Sequence, residues 1–327
     1  MPPFISICIP TYRNTSSLRR LLTSIREQNY RHFEVVICDD TPNQDVCEIV
    51  NDFSELPNLR YEQNSPRLGS PANWNRCLDR ANGEWIKIMH HDDWFSSTDS
   101  LRGFAEAAEM LYGSPLLFSG CNAFRNGEQF EFGHCPFGEN GGIQPLDELA
   151  RHELVFANRI GCPSVTMFRN QCGLRFDESL LWLVDVDFYM TAIAAAGAIV
   201  LKQPLINVTF SADTQITSTV EADHTLRWRE TFYVCKKHGL LSLAEVQTRL
   251  IRESEGISWA DLRSSVQLCT PQSAKQIGRL THLILLRIRF HRCAGWLQHL
   301  ANVTSWKIGQ SIHKAIRLCR RVLVGQR

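Results

Sequence analysis

Twelve cysteines are scattered along the 327 residues, and none forms a CxxC pair. A structural zinc site needs clustered thiolates and a redox dithiol needs that pair, so neither is indicated. Reduced, mostly buried thiols of a cytosolic chain are expected instead. No apolar run approaches the roughly 18 residues that a membrane-spanning helix requires. The opening stretch "MPPFISICIPTYRN" lacks a basic region followed by a long apolar one, so no signal peptide is expected. There is no G-x-G-x-x-G after the first apolar run and no G-x-x-x-x-G-K-[ST], which argues against a dinucleotide cofactor and a P-loop. Internal repeats and low-complexity tracts are also missing.

Acidic residues run out at Asp261. Beyond it stand twelve Lys and Arg with no Asp or Glu, which leaves 23 basic against 34 acidic residues in 1–261. A basic tail on an acidic body points to a polyanionic surface as partner. Nucleic acid is not expected, because the tail interleaves few aromatics beyond Trp296 and Trp306.

What is present is alternation. "FISICIP" (4–10) reads as a buried parallel strand, and so does "FEVVICDD" (33–40). Further strands are expected at 59–64, 84–89, 115–124 and 198–210. Helices are expected at 16–28, 44–53, 70–82, 97–112 and 185–197, the first with Ser16 as N-cap. Residues 125–183 are irregular, with a helix near 145–158, and the chain reads as helical from 221. Strand–helix alternation of this kind predicts an α/β fold with a parallel sheet covered by helices on both faces. Ligands of such sheets bind beyond the carboxyl ends of the strands.

Three strands end in polar clusters: Pro10-Thr11-Tyr12-Arg13, Asp39-Asp40 and His91-Asp92-Asp93. Two adjacent carboxylates at a strand end suit Mg²⁺ or Mn²⁺, which prefer oxygen ligands and bridge to substrate phosphates. The same pair also suits a solvated acidic turn or a helix cap, and the residues alone leave both readings open. His90 and His91 have no companion at a zinc-type spacing and read as packing or hydrogen-bonding groups.

The blocks "ISICIPTYRN", "FEVVICDDTPN", "NSPRLGSPANWNRCLDRANGEWIKIMHHDDWF" and "DESLLWLVDVDFYM" occur in that order. Together they resemble the family 2 glycosyltransferases, inverting enzymes of the GT-A fold, and in particular bacterial members that build surface polysaccharides. The resemblance covers residues 4–210 and implies a Rossmann-like, mostly parallel sheet. It implies a catalytic domain over 1–220, with a nucleotide-sugar half over about 1–124 and an acceptor half over about 125–220. The remainder, 221–327, would be a helical region with a basic amphipathic tail.

By that resemblance Pro10, Thr11 and Tyr12 lie beside the nucleobase, with Tyr12 stacking on it. Asp40 contacts the base and Asp39 supports it. Asn64, Arg67 and Asn73 line the nucleotide pocket. Asp92 faces the ribose and Asp93 holds the cation, Mg²⁺ or Mn²⁺. Asp185 is the general base, Asp187 braces, and Trp182 stacks on an acceptor sugar. The donor would be a UDP- or dTDP-sugar, and the acceptor a saccharide, free or lipid-linked, in O-antigen, lipopolysaccharide or capsule synthesis. The tail would place the protein at the inner face of the cell membrane, on anionic lipid. Two departures stand out: Val184, just before Asp185, stands where many relatives carry an acid, and Ser211 and Asp213 occupy the positions where relatives often carry Arg and His near the diphosphate. A sugar nucleotidyltransferase is the alternative enzyme, but its phosphate loop needs a glycine that "PTYRNTSS" lacks. A catalytically degenerate GT-A scaffold is the other alternative.

Overall fold

The computed structural model describes residues 4–110, 116–134, 144–145, 151–170, 173–196, 198–210, 220, 222–268, 285–286 and 288–289. The chain forms two compact units, 1–220 and 221–327.

The first unit is built on one sheet. Strands β1 (Ile5–Thr11), β2 (Phe33–Asp39), β3 (Leu59–Gln63) and β4 (Trp85–Ile88) pair in parallel in the order β3-β2-β1-β4. All seven residues of β1 and of β2 are buried. That accounts for their continuous apolar runs, since a strand covered on both faces has no solvent side to alternate toward. Helices α1 (Thr15–Arg26), α2 (Asp45–Asn51) and α3 (Ala72–Arg80) make the connections. The N-cap of α1 is Asn14, whose side chain accepts from the Ser17 N–H at 3.3 Å, and not Ser16 as expected. Leu18, Leu21, Leu22 and Ile25 form the buried stripe of that helix.

The sheet continues through β9 (Thr166–Arg169), β6 (Leu116–Arg125), β10 (Ala198–Thr209) and the short β5 (Trp94–Phe95). β9 is antiparallel to both β4 and β6, so β6 and its parallel partner β10 run in the direction of β1. Pattern reading did not give β9, β5 or the edge strands β7 (Glu128–His134) and β8 (Gln144–Pro145). Each either has only two to four residues or alternates weakly, too short for a period to emerge. Among the described residues the further α-helices of this unit are α4 (Ser100–Met110), α5 (Arg151–Leu154) and α6 (Val184–Ala196), with a 3-10 turn at Pro163–Val165. Of the helix expected near 145–158, α5 is helical, whereas Pro145 belongs to β8 and 155–158 leave the helix as turn and loop; 146–150 lie outside the described residues.

One buried polar node locks the first strands together. Glu34 is 2% exposed and accepts from Ser6 Oγ (2.6 Å), Asn82 N–H (2.6 Å) and Arg60 (2.6 Å). Ser6 Oγ accepts in turn from the Gly83 N–H at 2.8 Å. Gly83 is required there, because a Cβ would lie 2.6 Å from the Ser6 backbone nitrogen.

α6 is apolar on nearly every side, burying Val184, Val186, Phe188, Tyr189, Met190, Ala192 and Ile193, as a helix enclosed by protein must be. Phe188 stacks on Phe176 (4.3 Å between centroids) and meets Phe168 edge-on (4.8 Å), while Phe176 meets Trp74 of α3 at 5.0 Å. Such rings contribute about 1.5–3 kcal/mol each on burial, with a further increment for edge and offset-stacked geometry. This cluster fixes α6 against α3, and so sets where the acids at the start of α6 stand.

The second unit is helical among the described residues: α7 (His224–Lys237), α8 (Ala244–Glu253) and α9 (Trp259–Leu268). Trp228 and Phe232 stack at 5.3 Å, and the Trp228 indole N–H donates to Leu250 O at 2.9 Å. The tail segment 305–323, expected as a basic amphipathic helix, lies outside the described residues. Among the described residues no helix is long and apolar enough to cross a membrane.

Candidate active site

The carboxyl ends of β1, β2, β4, β6 and β10 share one edge of the sheet, and the sequence-predicted residues gather there. At the end of β1 Thr11 is buried, and the chain then turns through Arg13, whose φ is 64°. The Arg13 N–H donates to Thr41 Oγ1 at 2.7 Å, which holds the two strand ends in register. Two guanidinium groups lie over the Tyr12 ring, Arg67 at 4.1 Å and Arg13 at 4.8 Å from its centroid. The cation–π contact of Arg67 was not legible in the sequence, because Arg67 comes from a loop far along the chain.

Asp39 and Asp40 have separate tasks. Asp39 is fully buried; it accepts from the Thr41 N–H and from the Tyr61 hydroxyl, each at 2.8 Å. Burial still raises its carboxyl above the usual range. Asp40 accepts from Gly69 N–H (2.7 Å), Leu68 N–H (3.1 Å) and Asn64 Nδ2 (2.8 Å). It therefore fixes the 64–69 loop that carries Arg67. Asn73 is 4% exposed and donates to Cys38 O (3.0 Å), while its oxygen accepts from Asn64 (2.7 Å). The "NWN" block is a three-way brace: Asn73 ties to the end of β2, Trp74 packs on His90 and Phe176, and Asn75 exchanges hydrogen bonds with the Phe176 backbone.

After β4 the chain delivers His90, Asp92 and Asp93, and one ligand atom from each lies within 4.8 Å of the others. His90, rather than His91, joins the acids. It packs on Trp74 at 4.6 Å, and its Nε2 is buried without a hydrogen-bond partner. Burial holds its imidazole down at about 4, so it is a neutral ligand-competent group at neutral pH. Asp93 is 2% exposed; burial first, and then the charge of Asp92, push its carboxyl up to about 7. Two carboxylates and an orphaned imidazole fit a divalent cation of the Mg²⁺ or Mn²⁺ type, the imidazole favouring the latter.

Groups that pattern reading missed hold this turn. The Thr209 N–H donates to Asp93 Oδ1 at 3.0 Å, and Thr209 Oγ1 donates to Asp92 O at 2.6 Å. Arg20 of α1 donates to both Asp92 O (2.8 Å) and Thr209 Oγ1 (3.1 Å), with its guanidinium 3.7 Å over the Trp94 ring. On the α1 side of Arg20 and Trp94 a cleft of about 660 Å³ opens, lined by none of the residues expected to hold substrate. Beneath the turn, the buried Lys87 ammonium donates to Ser164 O and Ile88 O, and burial lowers it to about 7.

A single loop, 158–164, then reaches both sets of acids. Its Cys162 thiol donates to Asp93 Oδ2 at 3.3 Å, and Ser164 Oγ accepts from the His90 N–H at 2.9 Å. Asn158 Nδ2 donates to Asp185 Oδ2 at 2.7 Å. Asp185 is half-buried in the first turn of α6, and desolvation pushes its carboxyl up to about 7. Asp187, two residues on, is buried within the helix packing, and Trp182 is half-buried just before α6. Ser211 and Asp213 lie outside the described residues.

An α/β sheet of this order, with a histidine–carboxylate cluster at its carboxyl edge and a second acid opening a buried helix, is the GT-A type of glycosyltransferase fold. The sequence model of Glycosyl transferase family 2 matches residues 6–131. A protein of Mycobacterium tuberculosis is 30% identical over 66% of this chain and 70% of its own length. The amylovoran biosynthesis glycosyltransferase AmsB of Erwinia amylovora is 25% identical over 62% of this chain and 68% of its own. The chain belongs to glycosyltransferase family 2. Its fold is shared by the crystal structure of S. aureus TarS 1–349 in complex with UDP-GlcNAc, with a TM-score of 0.57 at 18% identity over 96% of this chain and 87% of that one.

Proposed function

We propose that this glycosyltransferase is inverting and metal-dependent, moving a sugar from a nucleoside diphosphate sugar to a saccharide acceptor. The observation that carries the reading is loop 158–164, which holds Asp185 by one end and Asp93 by the other at a single sheet edge. An acceptor hydroxyl oxygen attacks the anomeric carbon from the face opposite the diphosphate. The bond from that carbon to the diphosphate oxygen breaks, and Asp185 takes the hydroxyl proton. Asp93, with Asp92 and His90, would hold Mg²⁺ or Mn²⁺, which supplies charge stabilisation to the departing diphosphate. Tyr12, Asp40, Arg67 and Asn73 form the nucleotide side of the site. Burial that leaves Asp185 poised near neutrality suits a base that must accept a proton and release it afterwards.

The donor is a UDP- or dTDP-sugar, and the acceptor is a saccharide, lipid-linked, in bacterial surface polysaccharide synthesis. The AmsB relative supports a polysaccharide product, and the UDP-GlcNAc complex of TarS supports a uridine nucleotide. Residues 1–220 are the catalytic domain. The basic segment beyond 261 holds the protein at the inner face of the membrane, where a lipid-carried acceptor stands.

The test is release of nucleoside diphosphate from a panel of UDP- and dTDP-sugars by purified protein, with Mn²⁺, Mg²⁺ or excess chelator. Turnover of at least one donor, lost with chelator and lost in Asp185→Asn, is expected. Full turnover in chelator removes the metal from the reading; full turnover by Asp185→Asn removes the base.

A further inference from the structure

Asn158 makes four hydrogen bonds with one side chain. Its oxygen accepts from the Ile160 N–H (3.1 Å) and the Gly161 N–H (3.0 Å). Its nitrogen donates to Gly161 O (3.0 Å) and to Asp185 Oδ2 (2.7 Å). Which end of an asparagine amide is oxygen and which nitrogen is set by its hydrogen-bond network. Here the two backbone N–H groups fix the oxygen, so the nitrogen must face Asp185. The other carboxylate oxygen of Asp185 accepts from the Val186 N–H at 2.8 Å. The carboxylate plane is thus set by one donor from its own helix and one from the loop.

The loop is itself docked on that helix. Tyr189, one turn beyond Asp185, is fully buried and donates its hydroxyl to Gly161 O at 3.1 Å. Gly161 has φ +103°, a conformation open to glycine, and this allows the loop to double back over α6. Nothing in the family resemblance assigns a role to Asn158, which lies in the stretch that reads as irregular.

We infer that Asn158 is the positioning residue of the base: it orients Asp185 toward the acceptor and stabilises its ionised form. The inference rests on Asp185 being the base. The titratable and charged groups on the elements packed around Asp185 are Tyr189 and Asp187 on α6, Arg159 and Cys162 on the loop, His152 and Glu153 on α5, and Cys121 and Arg125 on β6. Glu153 is paired with Arg159 at 3.3 Å. None of these supplies a cation at hydrogen-bond distance to Asp185, whereas the Asn158 amide does supply a donor. Desolvation raises the Asp185 carboxyl and the Asn158 bond lowers it, so removing the bond raises it further. Asn158→Asp keeps the shape and the two bonds accepted from the Ile160 and Gly161 N–H groups, loses the donor to Gly161 O, and sets a second carboxylate against Asp185, so that the two must share a proton.

Two measurements decide it. In full-length protein labelled with ¹⁵N-asparagine, one side-chain amide should titrate between pH 5 and 9 with a midpoint near 7. That signal should vanish in Asn158→Ala and become pH-independent in Asp185→Asn. With the best donor of the panel, Asn158→Ala and Asn158→Asp should lower kcat about 10- to 100-fold at unchanged donor KM. Asn158→Asp should also move the acid limb of the profile up by about one unit, and Asn158→Ala should cost nothing further in the Asp185→Asn background. The inference falls if no asparagine amide titrates through Asp185, or if both Asn158 variants keep wild-type kcat and pH profile while Asp185→Asn loses turnover. If Asp185→Asn itself keeps wild-type turnover, the base assignment fails and takes the inference with it; that failure is recognised by the Asp185 variant alone.

Discussion

The backbone N–H of Thr209 donates to Asp93 Oδ1 across 3.0 Å, so the last residue of β10 fixes a carboxylate delivered by the turn after β4. The Thr209 hydroxyl makes the second tie, to Asp92 O. Outer-sphere partners of this kind are commonly worth 10- to 100-fold in metal affinity. Thr209→Val keeps the backbone donor and the side-chain shape but loses the hydroxyl bond. It should raise the Mn²⁺ concentration for half-activation about tenfold with maximal turnover largely kept. An unchanged Mn²⁺ midpoint would show that the hydroxyl tie is immaterial.

Asp93→Ala removes a carboxylate that is braced from two sides, by Thr209 and by Cys162. Turnover should fall to background at any Mn²⁺ concentration, and calorimetric Mn²⁺ binding should disappear. The protein itself should remain folded or gain slightly in stability above pH 7. The reason is that an ionised Asp93 is unfavourable in its buried site, where burial and Asp92 push it up to about 7.

Asp185 gives a pH dependence with a definite sign. Its carboxyl is raised to about 7 in the folded protein by desolvation, against about 3.9 in an unfolded chain. The folded state holds the proton more tightly. This group's contribution to stability is therefore fully present below about pH 4 and is lost as pH rises through about 7. Turnover runs the other way, because only the carboxylate accepts a proton, and should rise through pH 7. Asp185→Asn should lower turnover by about 10²–10⁴-fold and flatten this part of the stability profile in thermal melts. A wild-type turnover that is flat from pH 5 to 9 would contradict the assignment.

Glu34 carries a stability prediction far from the chemistry. Glu34→Ala leaves Ser6 and the Asn82 N–H without their acceptor and Arg60 without its partner. Orphaned buried groups cost about 1–3 kcal/mol each, and Arg60 is partly exposed and so contributes little. A net loss of about 3 kcal/mol is expected in urea unfolding, with donor KM unchanged in the surviving folded protein. A loss under about 0.5 kcal/mol, the scale of ordinary surface substitutions, would mean the node is not structural.

The basic segment beyond Asp261 predicts membrane attachment. Each Lys or Arg near an anionic leaflet contributes about 1 kcal/mol, screened by salt. Full-length protein should sediment with phosphatidylserine-containing vesicles at low salt and release at high salt, whereas a chain ending near residue 274 should stay in solution. Equal behaviour of the two chains would exclude the tail as anchor.

The sequence by itself determined the alternation of strands and helices, because runs such as "FISICIP" and the Leu18–Leu21–Leu22–Ile25 stripe carry periods long enough to read locally. It also placed Asp40, the His91-Asp92-Asp93 turn and Asp185 at element ends, where side chains are free to meet a ligand. The short strands β5 and β9 escaped because two to four residues carry no period, and their pairing is decided by neighbours distant in the chain. The supports of the site escaped for the same reason. Arg20, Thr209, Cys162 and Asn158 are unremarkable residues in α1, β10 and a loop, and nothing in their local sequence marks them. Only closure of the sheet brings Thr209 to Asp93 and Asn158 to Asp185. Hydrogen bonds of about 3 Å between residues tens to more than a hundred positions apart are a property of the packed fold.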